Sequence, residues 1–273
     1  MRLLHLVARR GNSAEFPENT LPALRSAISL GARFIEIDMH LSSDGTPIVY
    51  RDQQLVRFGP AAATATATEL GQLEAGEIER FGDQFRGTRM ATLATALGLL
   101  AGRPEITVFV VVGRQSVLRF GHEQVIARVM QTLKPFRSRC ILASTDLATV
   151  HSARTYAACP IAWVLPAYDD HIRLKYEALQ PEYLFCDHAL LPAAGPLWRG
   201  PWRWAISEVN ALQEALVLAE RGADFVTTRH VRTLSVAMLA HAAAAAAKPT
   251  SSADLMDATH PLPEPPKPTA GGN

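Results

Sequence analysis

Cysteine is scarce and poorly placed for chemistry. Cys140, Cys159 and Cys186 are the three cysteines in 273 residues. They are odd in number, far apart, and set in apolar or strand-like contexts. No CxxC pair is present, which argues against a zinc ribbon or a dithiol redox site. The simplest reading is reduced core thiols in a reducing, cytoplasmic compartment. Long apolar runs are also missing. Nothing approaches about 18 consecutive apolar residues, so no membrane span is expected. Charge of one sign is absent as well: the formal net charge is +1, giving no whole-protein field of the kind that marks nucleic-acid or membrane-surface binders. The opening MRLLHLVARRGNS has a short apolar run broken by His5, followed by arginines and no cleavage site. It reads as a first strand rather than a signal peptide.

What is present is apolar bulk in an alternating pattern. Hydrophobic residues make up 48% of the chain, enough for one domain of α/β-barrel size or for two smaller ones. Leu3–Ala8 reads as a strand, and Asn19 or Thr20 can cap a helix carrying Leu21, Leu24, Ala27, Ile28 and Leu30, with Gly31 as its stop. Ile106–Val112 is a continuous β-branched run that suits a strand buried on both sides. Helices at Thr92–Gly102, His122–Leu133, Leu147–Ala157, Ile172–Leu179, Ala211–Arg221 and Val231–Ala247 alternate with strands at Cys140–Ser144, Ile161–Leu165, Tyr183–Cys186, Arg203–Ile206 and Phe225–Thr227. About eight strands followed by helices, without a composition break, predict an α/β fold, a (β/α)₈ TIM barrel over residues 1–247, with a doubly wound open sheet as the alternative. Gly59–Thr68, short of large apolar groups, reads as a surface loop. Residues 248–273, rich in Pro, Ser, Thr and Gly, read as a disordered tail.

The stretch FIEIDMHLSSDGTPIVYRD (Phe34–Asp52) organises the rest. Its alternation sets Glu36, Asp38 and His40 on one face and Ile35, Ile37 and Met39 on the other. Asp44-Gly45 is a two-residue hairpin signal of type I′, whose register would place Arg51 opposite Asp38. Two carboxylates pointing the same way, with a residue delivered beside them by a tight turn, suggest a polar site.

Several segments together resemble the glycerophosphodiester phosphodiesterase family. Ala8-Arg9-Arg10-Gly11 stands where that family has a strand-end His-Arg-Gly, and Pro17-Glu18-Asn19-Thr20 matches its Pro-Glu-Asn-Thr helix start. Glu36-Ile37-Asp38 followed by Ser43-Asp44-Gly45 matches its metal-binding strand and turn. Tyr50-Arg51-Asp52 stands where a His-Asp pair is usual, and FVVVGRQS (Phe109–Ser116) where a strand with Glu-Ile-Lys is usual. The resemblance implies a TIM barrel of the PLC-like phosphodiesterase type with its site at the C-terminal strand ends. It implies hydrolysis of glycerophosphodiesters to glycerol 3-phosphate and an alcohol, with two histidines as general acid and base. Three carboxylates would hold Mg²⁺ or Ca²⁺, and a lysine would help bind phosphate.

The departures from that pattern shape the functional expectation. Arg9 and Arg51 occupy both histidine positions, Val111 the third carboxylate and Gly113 the lysine, while Glu36, Asp38 and Arg10 remain. Arginine stays protonated at physiological pH and cannot relay a proton. Losing one positioned acid–base group typically costs about 10²–10⁴-fold in rate. Glu36 and Asp38 alone make a weak cage for a hard dication, and an imidazole at His40 suits such an ion poorly, so His40 reads as barrel packing or rim exposure. Arg9 and Arg51 are expected to pair with the two carboxylates in place of metal, leaving Arg10 and Arg114 to bind the phosphate of a small phosphorylated ligand such as a glycerophosphodiester. Two outcomes stay open: a non-catalytic barrel that binds such a ligand, or a slow or altered-specificity hydrolase. Of the remaining candidates, Glu18 reads as a helix first-turn acid, Glu208 as a displaced carboxylate at the barrel mouth, and Trp198, Trp202 and Trp204 as either packing or a pocket wall. Asp146 and His151 have no serine arranged for a hydrolase triad.

Overall fold

The computed structural model describes residues 4–51 and 64–246. Its strands are β1 His5–Arg9, β2 Phe34–Leu41, β3 Pro47–Val49, β4 Ala91–Thr92, β5 Thr107–Val112, β6 Cys140–Ser144, β7 Ile161–Val164, β8 Tyr183–Asp187, β9 Arg203–Ser207 and β10 Phe225–Thr228. They run in the order β1-β10-β9-β8-β7-β6-β5-β2-β3-β4, and β1 also pairs with β2 in parallel. That last pairing closes eight parallel strands into a barrel and excludes the open doubly wound sheet. β3 and β4 form an antiparallel flap beside β2. The fold is a TIM barrel, as the strand–helix alternation predicts.

Local signals set many boundaries. The helix His122–Leu133 and the strand Cys140–Ser144 lie where the apolar periodicity places them. Thr20 caps the helix Leu21–Ser29, its hydroxyl accepting from the Ala23 N–H at 3.4 Å, and Gly31 follows with φ +81. The helix Arg114–Phe120 was not anticipated, because its seven residues carry no full apolar turn pattern. Of the stretch read as a surface loop, residues 59–63 lie outside the described part. Thr66 and Glu69 form a capping box that starts the short helix Ala67–Leu70, so the expected loop ends earlier than Thr68. The tail expected at 248–273 also lies outside the described residues.

The hairpin register needs correction. Met39 pairs with Val49 and His40 with Ile48, one residue away from the register of a two-residue turn. Gly45 has φ +78 but Asp44 is not left-handed, so a type I′ turn is not formed. Ser42 instead spans a three-residue connection: its N–H donates to Thr46 O and its hydroxyl accepts from Thr46 N, both at 3.0 Å. A right-handed turn followed by a left-handed glycine is the usual geometry at that length. Tight turns set register, and one extra residue moves every pair. The ladder ends at Val49, so Arg51 is not the cross-strand partner of Asp38.

Two cores flank the barrel wall. Outside, Ile35, Ile37 and Met39 of β2 pack under the helices with Leu24, Val125, Val129 and others. Inside, Val7, Phe109, Phe185 and Phe225 fill the barrel, with edge-on contacts of 4.9 Å between Phe109 and Phe185 and between Phe34 and Phe225. The aromatic plug closes the N-terminal half of the barrel, so polar residues of the same strands can gather only at the C-terminal mouth. Cys140, Cys159 and Cys186 are free and buried. Burial pushes the Cys140 and Cys186 thiols up to about 12, which keeps them protonated and inert.

Candidate active site

Glu18, Glu36, Asp38 and Glu208 meet Arg9, Arg10, Arg51 and Arg229 at the barrel mouth. Arg9 ends β1 beside Glu36 in the β1–β2 register, with its Nε 3.4 Å from Glu36 Oε1. Strand alternation alone would send Arg10 to the opposite face. Its left-handed backbone (φ +56) breaks the alternation, and the guanidinium turns into the same site. There Arg10 Nε donates to Asp38 Oδ2 at 2.5 Å and Nη1 to Glu18 Oε2 at 2.9 Å. Gly11 follows because nothing larger fits: a Cβ there would come 2.5 Å from the backbone of Ala23.

The Pro-Glu-Asn-Thr segment does more than start a helix. Asn19, also left-handed (φ +58), accepts from the Asp38 N–H and donates to Asp38 Oδ2, both at 3.1 Å. Asp38 is thereby fixed by Asn19 and Arg10 together. The expectation that Glu18 acts as a first-turn acid is not met. It lies before the Thr20 cap, the first helical turn carries no acid, and its carboxylate instead joins Arg10. Its N–H donates to the buried Glu77 at 2.8 Å. Asn19 and Glu77 are site residues that sequence reasoning missed. Asn19 lies in the Pro-Glu-Asn-Thr motif, where its residue type signals only a helix cap, and Glu77, a loop residue far along the chain, carries no local signal.

Arg51 reaches the site from beyond the hairpin ladder, its Nη1 3.9 Å from Glu18 Oε1. At that distance it pairs with Glu18, and Asp38 acts on it through the local field. Burial and the nearby Arg10 lower its affinity for protons, against the pull of Glu18 and Asp38. Arg10 shows the opposite net effect: burial works against its charge, but Asp38, Glu18 and Glu36 raise its pKa. The Glu36 carboxyl is pushed up by burial, with Arg9 opposing and Asp38 reinforcing the shift. The reading of Arg10 as a free anion contact is corrected, since its buried guanidinium is taken up by two carboxylates. Arg114 is exposed in the first turn of its helix. Glu208, just past β9, does face the mouth: its backbone is left-handed (φ +62), and its carboxylate pairs with Arg9 Nη1 and lies 3.8 Å from Arg229 Nη2.

The β5 side of the mouth is different. Val111 pairs in register with Asp38 and packs against the interior apolar cluster with Val164 and Ala143. At Gly113 a Cβ would fall 1.8 Å from the His40 ring, so the imidazole of His40 occupies the space into which a side chain at 113 would extend. His40 is buried, stacks on Tyr50 at 4.8 Å, and its Nδ1 lies 3.3 Å from Ser116 Oγ. Of the two expected placements, it takes barrel packing and not rim exposure. Among the described residues, no group of three His, Cys, Asp or Glu could hold a metal ion.

Other candidates lie away from the mouth. Trp198, Trp202 and Trp204 line a cavity of about 580 Å³ with Arg221 and Asp224. Trp202, Trp204 and Asp224 sit at the starts of β9 and β10, so this cavity opens at the end of the barrel opposite the carboxylates. As a wall for the mouth, the tryptophans are excluded. Asp146 caps the helix Leu147–Ala157 by accepting from Thr149 N at 2.7 Å, an ordinary structural role.

A closed parallel barrel with an acidic pair on its second strand, and its polar side chains at the C-terminal ends, defines a TIM-barrel protein with an enzyme-type site. The sequence profile of the Glycerophosphoryl diester phosphodiesterase family matches residues 10–180. The chain belongs to that family. It is 32% identical over 155 residues to a glycerophosphodiester phosphodiesterase of Caldanaerobacter subterraneus subsp. tengcongensis, covering 56% of this chain and 62% of that protein. It is 32% identical over 94 residues to the rat glycerophosphodiester phosphodiesterase 1, covering 28% of that protein. The chain thus spans less than two thirds of these relatives. In structure it resembles an Oleispira antarctica phosphodiesterase solved with the product sn-glycerol-3-phosphate, with a TM-score of 0.73 at 22% identity over 86% of this chain and 97% of that one. A Parabacteroides distasonis glycerophosphodiester phosphodiesterase superimposes with a TM-score of 0.70 at 17% identity over 88% of this chain and 99% of that one. Among the described residues, no helix is long and apolar enough to cross a membrane.

Proposed function

We propose that this barrel is a catalytically impaired member of its family that keeps a pocket for a phosphorylated small molecule, a glycerophosphodiester or the glycerol phosphate derived from one. The observation that carries this reading is the pairing of Arg9 with Glu36 and of Arg10 with Asp38. By the resemblance, these two carboxylates would hold a divalent cation together with a third at position 111. Here each already has a guanidinium against it, and position 111 is valine. That donor set does not fit Mg²⁺ or Ca²⁺, which take several oxygen ligands. The charge balance supports a concerted change. Arginines at the two histidine positions bring the same net charge as a dication, a lysine and one further carboxylate taken together.

Proton chemistry is lost with the cation. A guanidinium donates hydrogen bonds but cannot take up a proton from a nucleophilic water or return one to a leaving alkoxide. Arg9 and Arg51 are assigned here as charge-balancing residues rather than as acid and base. The ligand class follows from the family and from the Oleispira phosphodiesterase solved with sn-glycerol-3-phosphate. Three buried free thiols support a reducing, cytoplasmic setting. A second reading, a slow or altered-specificity phosphodiester hydrolase, draws on Glu208, whose side chain is 35% exposed at the mouth and can reach a solvent proton.

The test is a turnover assay on purified protein with glycerophosphocholine and bis(p-nitrophenyl) phosphate, with and without Mg²⁺ or Ca²⁺, beside the Arg9→His/Arg51→His double variant. The unmodified protein is expected to show turnover at least about 10²-fold below an ordinary enzyme rate and no dependence on cation. Metal-dependent turnover at ordinary rates would defeat the reading. Turnover without any cation that is lost in Glu208→Gln would favour the slow hydrolase.

A further inference from the structure

Glu208 stands between two guanidiniums. One of its oxygens, Oε1, pairs with Arg9 Nη1 and lies 3.8 Å from Arg229 Nη2. Its backbone is in the left-handed region (φ +62), a conformation that a non-glycine residue keeps only where its surroundings impose it. Three buried polar atoms nearby have no hydrogen-bond partner among the described residues: Thr227 Oγ1, Arg9 Nε and Arg229 Nε. Arg9 Nε is within ion-pair distance of Glu36 but not in hydrogen-bonding geometry. Thr227 is completely buried. It pairs in register with Val7, a residue of the interior cluster, so its hydroxyl faces the barrel interior one layer beneath the level of Arg9 and Arg229. Buried donors left without a partner are rare in folded proteins and call for an explanation, an unseen ligand among them.

We propose that Arg9, Arg229 and Thr227 form a cradle for a phosphomonoester at the seam of β1 and β10, and that Glu208 is a resident counter-anion which the phosphate displaces. This rests on the reading of the mouth as a pocket for a phosphorylated ligand and specifies which ligand it takes. Arg10, already held by Asp38 and Glu18, has little left to offer an anion. Arg229 keeps a buried Nε–H and Arg9 an Nε–H that Glu36 meets only at 3.4 Å, and guanidinium forks suit phosphate oxygens. A phosphodiester carries one negative charge, the same as the carboxylate it would replace. A phosphomonoester near neutral pH carries almost two, so displacement of Glu208 favours the monoester.

The experiment is calorimetric titration at fixed ionic strength with inorganic phosphate, sn-glycerol 3-phosphate and glycerophosphocholine. Proteins compared are the unmodified chain, Glu208→Gln, Arg229→Met and Thr227→Val, each checked for folding by its melting curve. Removing the competing carboxylate is expected to tighten phosphate and sn-glycerol 3-phosphate about tenfold, and Arg229→Met to weaken both by a similar factor. Thr227→Val is expected to weaken them less, and glycerophosphocholine to bind more weakly than the monoesters throughout. If Glu208→Gln does not fold, Glu208→Gly removes the carboxylate while relieving the left-handed backbone and gives the same readout. The cradle is overturned if a folded Glu208 variant binds phosphate no better than the unmodified chain. It is also overturned if Arg229→Met leaves binding unchanged, or if the diester binds as tightly as the monoester. Fast turnover of glycerophosphocholine would defeat the impaired-enzyme reading alone, since the cradle is judged by the order of the variants.

Discussion

The two sides of the barrel mouth follow different rules. On the side of β1 and β2, Arg9, Arg10, Glu18, Glu36 and Asp38 are buried or nearly so and form two adjoining ionic groups, Arg9 with Glu36 and Arg10 with Glu18 and Asp38. On the side of β5 to β7, Val111, Ala143 and Val164 present apolar surface to the same space. On the proposed reading, the contrast marks where a change of chemistry would need compensation. Removing a carboxylate at position 111 leaves an apolar wall that satisfies itself. Removing a cation from Glu36 and Asp38 would leave two buried negative charges, and buried charges persist only when paired. The arginines stand on the side with the buried carboxylates.

The strongest test of this contrast is truncation on each side. Asp38→Ala takes one of the two carboxylates from the buried Arg10 guanidinium and removes the side-chain hydrogen bond from Asn19, while the backbone bond to Asn19 survives. It is expected to cost about 3 kcal/mol, because removing one partner of a buried charge leaves Arg10 with Glu18 alone. Val111→Ala deletes only methyl groups and is expected to cost about 1 kcal/mol. Urea denaturation of both variants measures the difference, and equal costs would mean the ionic side is not a coupled network.

A smaller effect is expected at Gly113. Gly113→Lys drives a Cβ into the His40 ring and is expected to cost about 1–3 kcal/mol, as overpacking does. Adding His40→Ala should recover part of that loss. Recovery would show that the imidazole, rather than backbone conformation, keeps position 113 empty, and a double variant no more stable than the single one would refute it. The smallest effect belongs to Arg51. Its 3.9 Å pair with Glu18 is partly exposed, so Arg51→Ala is expected to change stability by about 0.2–1 kcal/mol. A loss as large as that of Asp38→Ala would place Arg51 inside the network instead of at its rim.

Much of the barrel was legible because its signals are local. A helix such as His122–Leu133 declares itself by apolar spacing within its own length, and a β-branched run such as Thr107–Val112 declares a doubly buried strand. The site was legible in part, since the residues in quoted motifs do converge at the mouth. The hairpin misled by one residue, because Asp-Gly suits both a two-residue and a three-residue connection, and the Ser42–Thr46 bonds decide between them. The tryptophans misled because composition cannot tell which end of a strand opens onto a cavity.

By itself the sequence determined the strand–helix alternation, the family, and the presence of arginines at positions 9 and 51 in the family motifs, since each depends on residue type and near-neighbour spacing. Only the tertiary structure decided which carboxylate each arginine meets. Arg9 finds Glu208 across 199 positions of chain, and Arg10 turns into the site through a left-handed backbone. Such pairings arise when barrel closure brings distant strand ends within a few ångströms, where burial makes an unpaired charge costly and the nearest opposite charge the partner.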